Sequence, residues 1–314
     1  KHIWEVKDGM IVGTDVPNQP NGFLCTEMDF ADFVLELEVS IDTLMNNSGV
    51  QFRSRSTADY MNGRVHGYQM EVDPKPQRWS GSIYDEGGPR GWLYTTELNV
   101  ASKKAFKNNQ WNKYRIECFG STMRTWVNEI PVSNLVDAES ARGFIGLQLH
   151  ANNPKDPPGS HQVRFRNIRI KTKNIHPSPP DDIFVVNNIP NDLSPQEKEN
   201  GFSLLWDGKT TIGWRGTYKL EFPDSSWEIK DSALGVIPNG NNRVDLCRDI
   251  MTKNQFSAFV LKFDFKLTKG ANSGVKYFVG EHDKKSGPAQ KSAVAALKYQ
   301  IVDDAVPTVT GNRT

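Results

Sequence analysis

Cysteine is scarce in this chain of 314 residues, occurring only as Cys25, Cys118 and Cys247. The three are odd in number, far apart, and part of no CxxC or Cys/His cluster. That argues against a zinc or iron–sulfur site and allows one disulfide at most. Net charge is scarce as well: Lys+Arg is 38 and Asp+Glu is 37, a formal +1. So even a balance gives no electrostatic reason to expect a nucleic-acid or anionic-membrane partner. No apolar run approaches the roughly 20 residues of a membrane-spanning helix. The opening KHIWEVKDGM lacks the basic-then-apolar layout of a signal peptide, as a mature chain also would. What the chain does have is aromatic residues, at 10% with eight Trp, which speaks against disorder. At about 150 residues per domain, the length suggests two domains.

An internal repeat sharpens that estimate. IWEVKDGMIVG at 3–13 recurs as SWEIKDSALGV at 226–236. DFADFVLELEVSIDTLMNNSGVQFR at 29–53 recurs as NQFSAFVLKFDFKLTKGANSGVKYF at 254–278, with Phe33 matching Phe259 and Asn47-Ser48-Gly49 matching Asn272-Ser273-Gly274. So long a period indicates two homologous domains and not a solenoid. GFSLLWDGKTTIGWRG at 201–216 precedes the second copy, and the first copy has no room for its equivalent. The second copy in turn has no counterpart to most of residues 74–170. The expected layout is a first domain over 1–171 lacking its N-terminal strands, a linker over 172–199, and the N-terminal part of a second domain over 200–314. The linker carries five prolines, which block helix and central strand and favour a semi-rigid extended connection.

Period-two alternation runs through FVLELEVSI, SGVQFRSR, GYQMEVD, NKYRIECFG, MRTWVNEI, FIGLQLHA and QVRFRNIRIKT. Each is short, and most are bounded by turn residues. VNEIPV reads as the end of a hairpin. Helix is expected only around 97–107 and 289–298. The fold class is all-β, a sandwich or jelly roll.

Alternation also sorts side chains onto faces. Val50 and Phe52 oppose Gln51, Arg53 and Arg55. Tyr68, Met70 and Val72 oppose Gln69, Glu71 and Asp73, while Leu147 and Leu149 oppose Gln148 and His150. The polar side carries amides, a carboxylate, an arginine and a histidine, with none of the Lys/Glu/Thr mixture of an ordinary solvated face. A neighbouring stretch, read as a loop, holds Trp79, Tyr84, Trp92 and Tyr94. Rings beside amides and carboxylates suit a sugar, whose C–H face stacks and whose hydroxyls need donors and acceptors. A solvated outer face, with the Trp side chains covering the core edge, is the plainer alternative.

The ordered series NSGVQFRSR, GYQMEVD, GSIYDEGGPRGWLY, AFKNNQWNKYRIECFGSTMRTWVNEIPVSNLVD, GFIGLQLHA and VRFRNIRIK resembles the 3-keto-disaccharide hydrolase family. The resemblance runs over 3–171 and returns in the second copy, through GFSLLWDGKTTIGW, ANSGVKYFVG and LKYQIVDD. It implies two tandem concanavalin A-like, laminin-G-like jelly rolls, an exported protein of the periplasm or cell surface in bacteria such as Bacteroidetes, and a 3-keto-glycoside as carbohydrate partner. The chemistry it implies needs a base, a stabiliser of enolate charge and an acid for the leaving group. Glu71 is then the candidate base, Arg53 the enolate stabiliser, and His150 the proton donor or second stabiliser. Gln51, Gln69, Asp73 and Gln148 hold hydroxyls, and Trp79, Tyr84 and Trp92 form the platform. Convergence of Arg53, Glu71 and His150 in one aromatic-rimmed pocket is the test of that assignment. In the second copy Lys276 and Phe278 stand for Gln51 and Arg53, and Gln300 for Glu71, so catalysis is expected in the first. Asp303 and Asp304 read as turn formers at a strand end.

Two other readings stay open. The same rings and amides serve a non-catalytic carbohydrate-binding pair, because fold does not determine function. An ordinary glycosidase needs two carboxylates across the bond, and Glu71 with Asp73 on one strand flanks a bond poorly. No cofactor is expected, although Glu71, Asp73 and His150 could gather around calcium or another divalent cation.

Overall fold

A computed structural model describes residues 3–16, 19–41, 47–151, 157, 159, 161–237, 249–280 and 295–303. The chain divides into two units, 1–204 and 205–314.

The first unit is built from β1 (Trp4–Lys7), β2 (Met10–Thr14), β3 (Gly22–Cys25), β4 (Phe33–Ile41), β5 (Ser48–Arg55), β6 (His66–Val72) and β7 (Ile83–Glu86), followed by β8 (Gly91–Tyr94), β9 (Asn112–Phe119), β10 (Thr122–Val127), β11 (Ile130–Val136), β12 (Phe144–Leu149), β13 (Gln162–Lys171) and β14 (Val186–Asn187). They form two sheets, ordered β1-β2-β13-β4-β9-β10-β11-β14 and β3-β12-β5-β6-β7-β8. All described pairings are antiparallel except β11 with β14. This is the jelly-roll sandwich that the alternation predicts.

The core follows from the alternation. β4 buries Phe33, Leu35, Leu37, Val39 and Ile41, while Glu36 and its neighbours face outward. From the opposite sheet come Val50, Phe52, Tyr68, Met70, Val72, Ile83 and Leu147. Removing such side chains from water contributes about 1.5–3 kcal/mol each and holds the sheets together. Cys118 is buried in this core, Cys25 lies near the surface, and both are free thiols; Cys247 lies outside the described residues.

Residues 172–199 lie along the first unit. Arg124 donates to the carbonyls of Ser178 and Pro179 and pairs with Asp181 at 2.6 Å. Val186–Asn187 adds an edge strand to β11. Pro195–Glu199 forms a single helical turn, α1, closed by a capping box between Ser194 and Glu197. Proline is tolerated there because it occupies the first helical position, where its missing N–H has no partner to lose. The helix expected around 97–107 is two 3-10 turns, Thr96–Leu98 and Val100–Lys104.

In the second unit the described strands are β15 (Trp214–Gly216), β16 (Trp227–Lys230), β17 (Ala233–Val236), β18 (Ile250–Thr252), β19 (Asn272–Gly280) and β20 (Ala295–Val302), in three two-stranded pairings. The helix expected around 289–298 is corrected where it is described: from Ala295 onward the chain is strand, because pairing with β19 outweighs the helix propensity of alanine. Two local features repeat between the units. The β1–β2 and β16–β17 hairpins both turn on two residues of positive φ, Asp8-Gly9 and Asp231-Ser232. β5 and β19 both carry a bulge at matching places, with Arg53 at φ 47° and Phe278 at φ 53°. The counterpart of β4, around Phe259–Phe265, is not strand. It joins no sheet among the described residues, and alternation alone does not make a strand without a ladder.

Candidate functional site

The register of the six-stranded sheet lines up the site. One row runs across it as Gly146, Gln51, Gln69, Tyr84 and Trp92, each paired with the next on the neighbouring strand. Two residues along, Gly49 pairs with Glu71. The stretch read as an aromatic loop is therefore in part the strand pair β7–β8. Its rings pack as a block, with Trp92 4.6 Å from Trp79 and 4.9 Å from Tyr84 between centroids. Tyr94 is turned into the core, where its hydroxyl donates to the carbonyl of Phe184.

The amides are committed to one another. Ser54 Oγ donates to Gln51 Oε1 at 2.8 Å, Gln51 Nε2 to Gln69 Oε1 at 2.5 Å, and Gln69 Nε2 to Glu71 Oε2 at 2.9 Å. Each bond fixes the sense of the next amide, so the relay ends by donating into the carboxyl group. Two glycines make room for it. A Cβ at Gly49 would stand 2.3 Å from Gln69 Cδ, and one at Gly146 would stand 3.3 Å from Gln51 Cβ. These glycines lie in regular strands, where their use is close approach and not backbone freedom.

Glu71 is 4% exposed. Burial pushes its carboxyl up to about 8; the Gln69 hydrogen bond opposes this, and Asp73 and Glu86 add to it. Near neutral pH the group is then poised between its acid and its base, as proton transfer requires. Its Oε1 takes no hydrogen bond among the described residues.

Glu86 is the site residue that the sequence reading missed. It stands on the same side of β7 as Tyr84, two residues on, a parity that the stretch SIYDE contains once it is read as a strand. Asn21 Nδ2 and Gln148 Nε2 lie 3.5 Å from its carboxylate, Arg64 lies 3.8 Å away, and His150 acts on its charge. Burial raises its pKa. Gln148 Oε1 is buried with no hydrogen-bond partner among the described residues, so the face retains an unused acceptor there. His150 Nδ1 lies 2.7 Å from the carbonyl of Ala151. A carbonyl can only accept, so Nδ1 carries a proton, and in the neutral ring Nε2 is the basic nitrogen.

Two expected residues are placed differently. Arg53 does not face Glu71. The bulge at its own position turns it out of the row, and its guanidinium donates to the carbonyls of Ala31 and Gly120 and pairs with Asp32 at 3.1 Å. The expected convergence of Arg53, Glu71 and His150 is therefore corrected: strict alternation fails where one extra residue enters the strand. Asp73 lies just past the end of β6 and accepts from the N–H of Lys75 at 3.0 Å. It bears on Glu71 through charge, and its own pKa is raised by burial. Among the described residues, no three His, Cys, Asp or Glu side chains gather as metal ligands, so Glu71, Asp73 and His150 form no such set.

In the second unit the same register gives Lys276 opposite Lys298, and Gly274 opposite Gln300. These correspond to Gln51 opposite Gln69 and Gly49 opposite Glu71. Lys276 pairs with Asp249 at 2.5 Å. Asp303 is described, and its carboxylate accepts from the N–H of Gly270 at 2.7 Å, whereas Asp304 lies outside the described residues.

The model of the 3-keto-alpha-glucoside-1,2-lyase-like domain matches residues 1–171 and 201–314. A 3-keto-disaccharide hydrolase of Bacteroides thetaiotaomicron is 30% identical over 111 residues, which cover 33% of this chain and 38% of that protein. The match thus spans less than two fifths of the curated relative. Among solved structures, a carbohydrate-binding module from Bacillus subtilis is 16% identical with a TM-score of 0.40, over 54% of this chain and 90% of that one. A beta-glucanase of Bacillus licheniformis is 10% identical with a TM-score of 0.38, over 55% and 82%. At that level of likeness neither structure carries a functional reading.

Proposed function

The chain belongs to the family of 3-keto-alpha-glucoside-1,2-lyase-like domains, and on that premise we propose that its first unit cleaves glycosides already oxidised to a ketone at C3. The ketone acidifies the hydrogen on C2. Ionised Glu71 takes that proton, and the C–H electron pair becomes the enolate of C2, C3 and the ketone oxygen. The enolate re-forms the ketone as the C1–O bond breaks, and the leaving oxygen departs with the bonding pair and gains a proton. Water then adds to the enone, hydroxyl at C1 and hydrogen at C2, so the net reaction is hydrolysis.

One observation carries this reading: the buried Glu71 carboxyl group, held by a three-bond relay and tuned to about 8. Gln51 and Gln69 position it. His150 and Glu86 supply and return the leaving-group proton, and the unused Gln148 Oε1 accepts from a sugar hydroxyl. The second unit reads as another copy of the domain in which Gln300 replaces the base, so catalysis is assigned to the first.

Arg53 favours a second reading. With the guanidinium turned away, the face has lost the cation expected to meet an enolate, and a binding module needs none. An assay of released sugar from a 3-keto-disaccharide and from its unoxidised parent decides between them. Turnover of the ketone alone supports the proposal. Binding of both without cleavage of either supports the module.

A further inference from the structure

The relay behind Glu71 is closed at its far end by a hydroxyl with a choice. Ser54 Oγ has one hydrogen to give, and three acceptors stand within its reach: Gln51 Oε1 at 2.8 Å, and the carbonyls of Phe52 and Tyr68 at 3.2 Å each. Ser54, Gln51, Gln69 and Glu71 are all buried, so their polar groups must satisfy one another. With Glu71 ionised the sense is fixed, and the hydrogens run from Ser54 through Gln51 and Gln69 into Oε2. That sense does not suit the protonated group. A proton on Oε2 would face the N–H of Gln69, and a proton on Oε1 has no partner in the relay.

Turning the two amides over resolves this. Glu71 Oε2–H then donates to Gln69 Oε1, Gln69 Nε2 to Gln51 Oε1, and Gln51 Nε2 to Ser54 Oγ, while Ser54 gives its hydrogen to the carbonyl of Tyr68 or Phe52. Each link of the relay is kept in both senses. We propose that the relay is a two-state switch that turns as a unit when Glu71 takes a proton, and that Ser54 is the positioning residue that allows both senses. The proton enters from solvent at Oε1, and a half-turn of the carboxyl group carries it to Oε2; ionisation reverses the path and returns it to solvent. The consequence for catalysis rests on the role given to Glu71 above. In the forward sense Oε1 belongs to an ionised base, and in the reversed sense the proton sits on the oxygen bonded to Gln69. The ionisable groups that bear on Glu71 are Asp73 and Lys75 beyond β6, Glu86 on β7, and Tyr114 on β9, whose hydroxyl donates to the Glu71 carbonyl. Among the described residues none of these four is a link in the relay, so they bias the charge of Glu71 without choosing the sense of the amides.

Side-chain amide NMR of the whole chain, labelled at glutamine Nε2, tests the switch without substrate. Between pH 6 and 9 the Gln51 and Gln69 signals should move together with one midpoint near 8, although Gln51 lies two hydrogen bonds from the carboxyl group. In Glu71→Gln both signals should stay still. A Gln51 signal that stays still in the wild type, or one that still moves in Glu71→Gln, overturns the switch. Ser54→Ala supplies a sign. In the forward sense alanine leaves Gln51 Oε1 without its donor, and in the reversed sense it leaves Gln51 Nε2 without an acceptor. A buried N–H tolerates that loss less well than a carbonyl. The variant therefore disfavours the protonated state, and its Gln69 midpoint should fall by about half to one pH unit, the worth of one hydrogen bond. An unchanged or higher midpoint overturns the role of Ser54. The functional reading fails separately. Near wild-type turnover by Glu71→Gln removes the catalytic consequence and leaves the switch, whereas still amides with an inactive Glu71→Gln remove the switch and leave the functional reading.

Discussion

At the residue scale the account turns on where single side chains are committed. Glu71 is buried, and its folded pKa of about 8 lies above the ordinary 4.5. The native state therefore binds more protons than the unfolded chain across that interval. The stability this confers is complete below about pH 4.5 and is lost as pH rises to about 8. Glu71→Gln removes the titration, so its urea midpoint should fall less steeply than that of the wild type between pH 5 and 8. Parallel curves would show that Glu71 titrates normally. Arg53 is committed to structure. Arg53→Ala should destabilise the first unit by about 2–4 kcal/mol, since a large buried side chain is deleted and the carbonyls of Ala31 and Gly120 lose their donor. Sugar affinity, read by calorimetry on the folded fraction, should not change. A selective loss of affinity with stability intact would return Arg53 to the site.

At the scale of the element, the strands were legible in the sequence wherever alternation was unbroken. β4, β5, β6, β9, β12 and β13 follow from periodicity, and so does the grouping of Gln51, Gln69 and Glu71 on one side. Two things were not legible. A bulge leaves no mark on a period-two pattern, so Arg53 was placed one face wrong. The four-residue strands β7 and β8 are too short for alternation to separate from a loop, and Glu86 went unseen with them. The glycine beneath the relay gives a test at this scale. Gly49→Ala places a methyl group against Gln69 Cδ and breaks the Gln69–Glu71 bond, at a cost of about 1–3 kcal/mol in strain. That bond lowers the Glu71 pKa, so the ascending limb of the rate–pH profile should move to higher pH. An unmoved limb would mean that the relay does not hold the carboxyl group.

At the scale of the whole molecule, the two units share hairpin turns of the same kind and bulges at Arg53 and Phe278, and the register sets Gln300 opposite Gly274 as Glu71 stands opposite Gly49. The docking of residues 172–199 was hidden, because it depends on Arg124 and Val186 meeting partners remote in sequence. The central claim is that one tuned carboxyl group of the first unit removes the C2 proton. Its most direct test is kcat/KM against pH for a 3-keto-glucoside, measured on the wild type and on Glu71→Gln. The account predicts a wild-type rate that rises with pH through a limb near 8, since the base must be ionised, and no turnover by the variant. Near wild-type turnover by Glu71→Gln would contradict it.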